Sequence, residues 1–272
     1  MIANKIPIDG YVMIIGSMKC GTTSLFNYLN KHPEICAAVT KEPEYFSKSR
    51  PEPKSIEDYE KLWSFDKAVH KFALEGSTGY TKYPAVSDVP RQIFELGLNP
   101  KFIYIVRNPI DRISSHYKYM RKKNDWLLDI TDEHLINTSK YYCQLQRYTE
   151  FFQRKNILVL DYDKFKANPK STMITIYKFL QLNCKYLPKE YKVYNKSKDY
   201  FIFDRLFYYR LFYNIRQIFN KSPSRPFFKL RNIDRCLSES EITDIRNVLM
   251  SDMIELNKHY GIDVEKWGFS IK

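Results

Sequence analysis

Three groups of residues in this sequence have the types and spacing to do chemistry on a phosphorylated ligand. The first is Gly16-Ser17-Met18-Lys19-Cys20-Gly21-Thr22-Thr23-Ser24. Its glycines let the backbone turn tightly and aim N–H groups inward, and a helix beginning at Thr22 would add its positive N-terminal end. Lys19 offers an ammonium, and Ser17, Thr22, Thr23 and Ser24 offer hydroxyls. The triphosphatase loop G-x-x-x-x-G-K-[ST] shares the two glycines, but here Thr22 stands where the Lys belongs and the Lys lies mid-loop at position 19. The second group is Arg107 with Pro109 and Ser115; a guanidinium fork holds a phosphate well, and Ser115 adds a hydroxyl two helical turns on. The third is Lys41-Glu42-Pro43-Glu44-Tyr45-Phe46, in which either carboxylate could take a proton.

These groups need a frame. Tyr11-Val12-Met13-Ile14-Ile15 is an apolar run stopped by Gly16, the mark of a buried parallel strand, and helical spacing follows over 22–31. Strands are predicted at 35–39, 71–75, 101–106 and 157–161. Helices are predicted at 84–96 (with Pro84 in the first turn), 109–121, 141–153, 171–180 and 237–260, the last capped by Ser238 and Glu241. Alternating strands and helices give an α/β, P-loop-like three-layer fold with a central parallel sheet flanked by helices. In such a sheet, turns at the carboxyl ends of strands face one crevice, which joins the loop at 16–24 to Arg107.

On these residues the chain resembles the PAPS-dependent sulfotransferases, closest to their carbohydrate (heparan sulfate/Golgi-type) branch and its bacterial relatives. The resemblance covers 11–182 well and 183–272 loosely. It implies transfer of a sulfuryl group from 3′-phosphoadenosine 5′-phosphosulfate (PAPS) to a hydroxyl, leaving PAP, with no metal required. By match of position, the 16–24 loop takes the 5′-phosphosulfate through Ser17, Lys19, Cys20, Gly21, Thr22, Thr23 and Ser24, with Lys19 stabilising the leaving phosphate. Arg107 and Ser115 take the 3′-phosphate, and Glu42, in the K-E-x-x-[FY]-F segment, is the base. Arg225, in Ser222-Pro223-Ser224-Arg225-Pro226, is the candidate for a loop closing over the nucleotide. His32, His70 and His116 are rival bases, because the small-molecule branch uses a His. One departure stands out: Glu75-Gly76-Ser77-Thr78-Gly79-Tyr80 resembles the family's E-K-S/T-x-x-Y turn, yet Gly76 replaces a Lys that assists catalysis in several heparan-type enzymes. Lys82 or Lys41 is the alternative source of that charge.

The 272 residues read as a single domain, with 191–236 a basic aromatic subregion bordering the cleft. From 191 to 231 ten Lys and Arg face two Asp. That stretch reads as a core-packed helix, an acceptor wall, or a contact with an anionic membrane surface. The net charge of +13 favours anionic partners without choosing among them, and no nucleic-acid reader motif accompanies it. Five scattered cysteines lack metal-ligand spacing, and the expected location is cytoplasmic, with peripheral membrane contact open. The expected acceptor is a sugar, glycolipid or polysaccharide. Rival readings are a P-loop kinase-like enzyme and a PAPS-binding protein without activity. Oligomeric state is not readable.

Overall fold

An unbroken apolar run needs two covered faces, and β1 (Tyr11–Gly16) is buried along its whole length. In the computed structural model, which describes residues 6–48, 55–122, 129–192, 194 and 235–271, β1 is the middle strand of a five-stranded parallel sheet of order β2-β3-β1-β4-β5. The others are β2 (Ile35–Ala37), β3 (Phe72–Gly76), β4 (Lys101–Val106) and β5 (Ile157–Asp161). The two-residue period of the strands divides their side chains between two cores. Tyr11, Met13 and Ile15 join Phe102, Tyr104 and Val106 on one face, and Val12 and Ile14 join Ile103 and Ile105 on the other.

Leu25, Phe26 and Leu29 of α1 (Thr22–Leu29) cover the second face, with Met173, Ile176 and Leu180 of α8 (Pro169–Leu180). The first face is covered by α3 (Val89–Glu95), α4 (Pro109–Lys122), α6 (Tyr141–Thr149) and α9 (Glu239–Tyr260). Short helices α2 (Ile56–Glu60), α5 (Glu133–Asn137) and α7 (Tyr162–Ala167) complete the frame. The chain fills one side of β1 and then the other, so strand order reverses between β1 and β4. Ligands of open α/β sheets bind at that point. A register shift between Ile14 and Gly16 re-aims β1 as it enters the loop.

Several predicted elements are shorter than their patterns, three of them for visible reasons. The strand at 35–39 stops at Ala37, because Val39 leaves the sheet and donates its N–H to Leu62 O at 3.0 Å. The helix at 84–96 begins only at Val89, with Pro90 rather than Pro84 in its first turn. Gln144 explains this: its Oε1 accepts from Tyr83 N and its Nε2 donates to Tyr83 O, both at 2.9 Å, holding the preceding segment against α6. The helix at 141–153 ends at Thr149, and Phe151 and Phe152 instead pack on Phe94 and Phe102. The capping box of Ser238 and Glu241 starts α9 as expected.

The C-terminal elements are tied to the sheet. Asp252 of α9 caps α6, accepting from Tyr142 N at 2.8 Å and Cys143 N at 2.9 Å, and its burial pushes the carboxyl up to about 6. Lys266 pairs with the buried Asp161 at the end of β5. The described residues belong to one packed unit. Most of the basic region at 191–236, Arg225 included, lies outside the described residues. No helix among the described residues is long and apolar enough to cross a membrane.

Candidate active site

The loop after β1 has a geometry only its sequence allows. Gly16 (φ 148°) has Thr81 Oγ1 where a Cβ would go, and at Gly21 (φ 83°) a Cβ would come within 2.9 Å of Tyr162 Cε2. Between them Lys19 takes φ 71°, a left-handed conformation rare for a side chain of this size. Ser17 N donates to Ile105 O of β4 at 2.8 Å, stitching the loop to the neighbouring strand, and Cys20 N closes the turn on Ser17 O at 3.2 Å. Gly21 then starts α1 with no side-chain cap and no acidic residue in the first turn. The positive end of the helix is therefore left for an anion.

The predicted loop residues divide by what their side chains touch. Ser17 Oγ is buried beside the Cys20 thiol and the Tyr104 hydroxyl, without a well-formed hydrogen bond to either. Lys19 is half-buried, its ammonium 4.6 Å from the Tyr119 ring centre. Cys20 is fully buried, and burial pushes its thiol up to about 12, so it stays protonated; its backbone N–H is used by the turn. Ser24 Oγ accepts from Tyr194 N at 3.1 Å. Thr22 is buried and Thr23 half-buried in the first turn of α1.

At the end of β4, Arg107 lies over Tyr162, 5.2 Å from the ring centre, with Nη2 3.2 Å from Asp111 Oδ2. Its Nε is buried without a partner. Tyr141 OH donates to Arg107 O at 2.8 Å, so α6 fixes the backbone there. Ser115 is half-buried on α4, its hydroxyl uncommitted among the described residues. Tyr162 was not singled out in the sequence, yet its ring touches both loops. Its only sequence signal was its place directly after the β5 strand. Ser17 Oγ and Arg107 Nε are orphaned polar atoms on the two loops that flank the β1/β4 reversal, beside an uncapped helix. That set fits an anionic, doubly phosphorylated nucleotide.

The two acids of the third group have separate fates. Glu44 (φ 51°) is structural: it accepts from Gly79 N at 2.9 Å and from Ser47 Oγ, while its own N–H donates to Ser77 Oγ at 3.1 Å. Glu42 is exposed, with Oε1 2.5 Å from Lys41 Nζ. Gly76 N donates to Lys41 O at 3.2 Å, which places this segment beside the end of β3. Glu75, at the end of β3, is buried and accepts from Tyr59 (2.5 Å), Ser77 (2.9 Å) and Tyr80 (3.1 Å); burial pushes its carboxyl up to about 7.

The three rival histidines have structural partners. His32 is buried, accepts from Glu34 N at 3.1 Å and lies 3.3 Å from Asn183 O. His70 Nδ1 accepts from Asp66 N at 3.0 Å. His116 faces the fully buried Arg112, whose Nη1 lies 3.1 Å from its Nδ1; burial and then the Arg112 charge push the ring down to about 2, so it is neutral. Arg112 also donates to Ser139 Oγ at 2.7 Å and to Leu135 O, and meets no carboxylate among the described residues. The sequence carried one sign of this: Arg112 and His116 are four apart on the stripe that holds Ile113 and Tyr117.

The sequence profile described as "Sulfotransferase domain" matches residues 9–206. The chain belongs to this sulfotransferase family. It is 29% identical over 226 residues to heparan sulfate glucosamine 3-O-sulfotransferase 5 of Mus musculus, across 77% of this chain and 61% of that enzyme. To the bifunctional heparan sulfate N-deacetylase/N-sulfotransferase 2 of Homo sapiens it is 27% identical over 192 residues, 62% of this chain and 21% of the other. The chain thus spans less than two thirds of the length of these curated relatives. A sulfotransferase from Alicyclobacillus acidocaldarius shares the fold, with a TM-score of 0.67 at 18% identity over 96% of this chain and 98% of that one. In sulfotransferase terms, the matched segment contains the 16–24 loop, Glu42, Arg107 and Ser115, but not Arg225.

Proposed function

We propose that this sulfotransferase moves a sulfuryl group from PAPS to a hydroxyl of a carbohydrate: a sugar, glycolipid or polysaccharide. The observation that carries the reading is the pair of orphaned polar atoms, Ser17 Oγ and Arg107 Nε, on two strand-end loops beside the uncapped start of α1. Arg107 and Ser115 suit the 3′-phosphate, and Ser17, Lys19 and the first turn of α1 suit the 5′ end. The heparan sulfate named for both curated relatives supports a sugar acceptor, and the net charge of +13 is compatible with a polyanionic one.

PAPS, when bound, supplies a sulfuryl joined to phosphate through the oxygen bond that breaks. Glu42 accepts the acceptor's hydroxyl proton as the acceptor oxygen bonds to sulfur, and Lys41 fixes the direction of its carboxylate. Lys19 meets the negative charge that collects on the departing phosphate oxygen. Arg107, clamped between Tyr162, Asp111 and the Tyr141 bond to its carbonyl, holds the far end of the nucleotide so that the reacting atoms stay in line.

Calorimetric titration with PAP, alongside ATP, tests the reading. Tight binding that prefers the 3′-phosphorylated nucleotide and collapses in both Lys19→Ala and Arg107→Ala is the expected result. Equal binding of ATP, or indifference to both substitutions, would reject it in favour of a kinase-like nucleotide site.

A further inference from the structure

Gly76 leaves the end of β3 without a side-chain charge, although β3 lies next to the donor loop in the sheet. A Cβ there would meet Phe26 at 3.4 Å and Ile14 at 3.6 Å, ordinary contacts, so the backbone there does not itself require glycine. Two lysines are near enough in the fold to compensate. Lys41 is committed, its Nζ 2.5 Å from Glu42 Oε1. Lys82 is half-buried and makes no ion pair among the described residues.

The backbone around Lys82 is held on both sides. On one side, Thr81 Oγ1 donates to Ile15 O at 2.8 Å and fills the space that a side chain at Gly16 would need. This puts residue 81 against the first residue of the donor loop. On the other, Tyr83 is gripped by Gln144 through both its N–H and its carbonyl. Lys82 therefore leaves a fixed point one residue from the loop. Its charge acts on His116, as do those of Arg112 and Lys19. Lys82 from the β3 end and Lys19 from the β1 end thus converge on one buried ring of α4. A half-buried ammonium with no ion pair among the described residues, one residue from the point where the chain meets the donor loop, is poised for an anion.

We propose that Lys82 is the second cation of the donor site, contacting the sulfuryl group itself and replacing the charge that Gly76 omits. The inference rests on the PAPS reading above. It predicts a difference between the two nucleotides, because PAPS carries the sulfuryl and PAP does not.

The test is calorimetry of the full chain with PAPS and with PAP, for the wild type, Lys82→Met, Lys82→Arg and the double substitution Gly76→Lys/Lys82→Met, with thermal unfolding of each. Lys82→Met is expected to weaken PAPS on the order of tenfold, the size of one charge-assisted hydrogen bond, and PAP less than twofold, at unchanged melting temperature. Lys82→Arg should keep most of the PAPS affinity, and Gly76→Lys in the Lys82→Met background should recover part of it. An unchanged PAPS-to-PAP ratio in Lys82→Met would overturn the proposal, as would a lost ratio in Lys41→Met alone. A wild type that binds neither nucleotide would instead overturn the sulfotransferase reading and this inference with it.

Discussion

Behind the ends of β1 and β4 the chain buries a cation, Arg112, among neutral acceptors. At the end of β3 it buries an acid, Glu75, among three hydroxyl donors. Neither has a partner of opposite charge among the described residues, and they resolve this differently. A guanidinium cannot shed its proton under ordinary conditions, so Arg112 stays positive although burial lowers its pKa. A carboxyl can be neutralised, and Glu75 holds its proton up to about 7. The donor side therefore keeps a buried positive charge, while the β3 side neutralises its negative one below about pH 7. On the proposed reading the two sides also divide the labour, with β1 and β4 binding and the segment after β2 doing the proton chemistry.

Removing the base is the strongest way to separate the two sides. Glu42→Gln should lower turnover by about 100- to 10,000-fold while PAP affinity changes less than twofold; a parallel loss of PAP binding would show that the division is false. Arg112→Ala comes next. It leaves Ser139, Leu135 and His116 without their donor in a buried site, at a cost on the order of 3 kcal/mol that urea unfolding would measure, with Arg112→Lys in between. Gly21→Ala is smaller: φ 83° and the Tyr162 ring at 2.9 Å imply a loss of about 1–2 kcal/mol in thermal unfolding and weaker PAP binding.

The effect of Glu75→Gln depends on pH. The folded carboxyl titrates at about 7 against an ordinary 4.5, so the native state holds an extra proton between those values. Its contribution to stability is present below 4.5 and is lost as pH rises to about 7, by about 1.4 kcal/mol per pH unit at most, then levels off. The Gln variant has no such slope. Its melting temperature relative to the wild type should climb from pH 4.5 to 7, and a flat difference would mean that Glu75 is ionised throughout.

What could be read from the sequence was what sits close together along the chain. The 16–24 loop was legible because its two glycines, its Lys and the strand before it lie within one turn. The parallel sheet was legible because apolar runs of that length have few other uses. Gly21 shows the limit. Its need for two hydrogens at Cα could be read from the turn, but not the Tyr162 ring that presses on it. Arg112 was visible inside the second motif, yet its burial depends on Ser139 and Leu135 of another segment. Pro84 misled because a proline near a helical pattern usually marks the first turn, and the bonds from Gln144 that overrule it cross 61 residues. Of Glu42 and Glu44, the motif favoured the first, and the structure engages the second in holding the turn at Gly79.

The cap that Asp252 places on α6 has a consequence for biosynthesis. Tyr141 fixes the carbonyl of Arg107, and α6 is itself fixed by an acid on the last helix. A ribosome delivers α9 well after α6, so the nascent chain holds the 16–24 loop long before α9 can help hold Arg107 in place. Donor nucleotide in the surrounding solution thus cannot template the early chain through both of its phosphorylated ends. On the proposed reading the two-point grip waits for α9, and a message cut short before that helix would yield a chain with half a site.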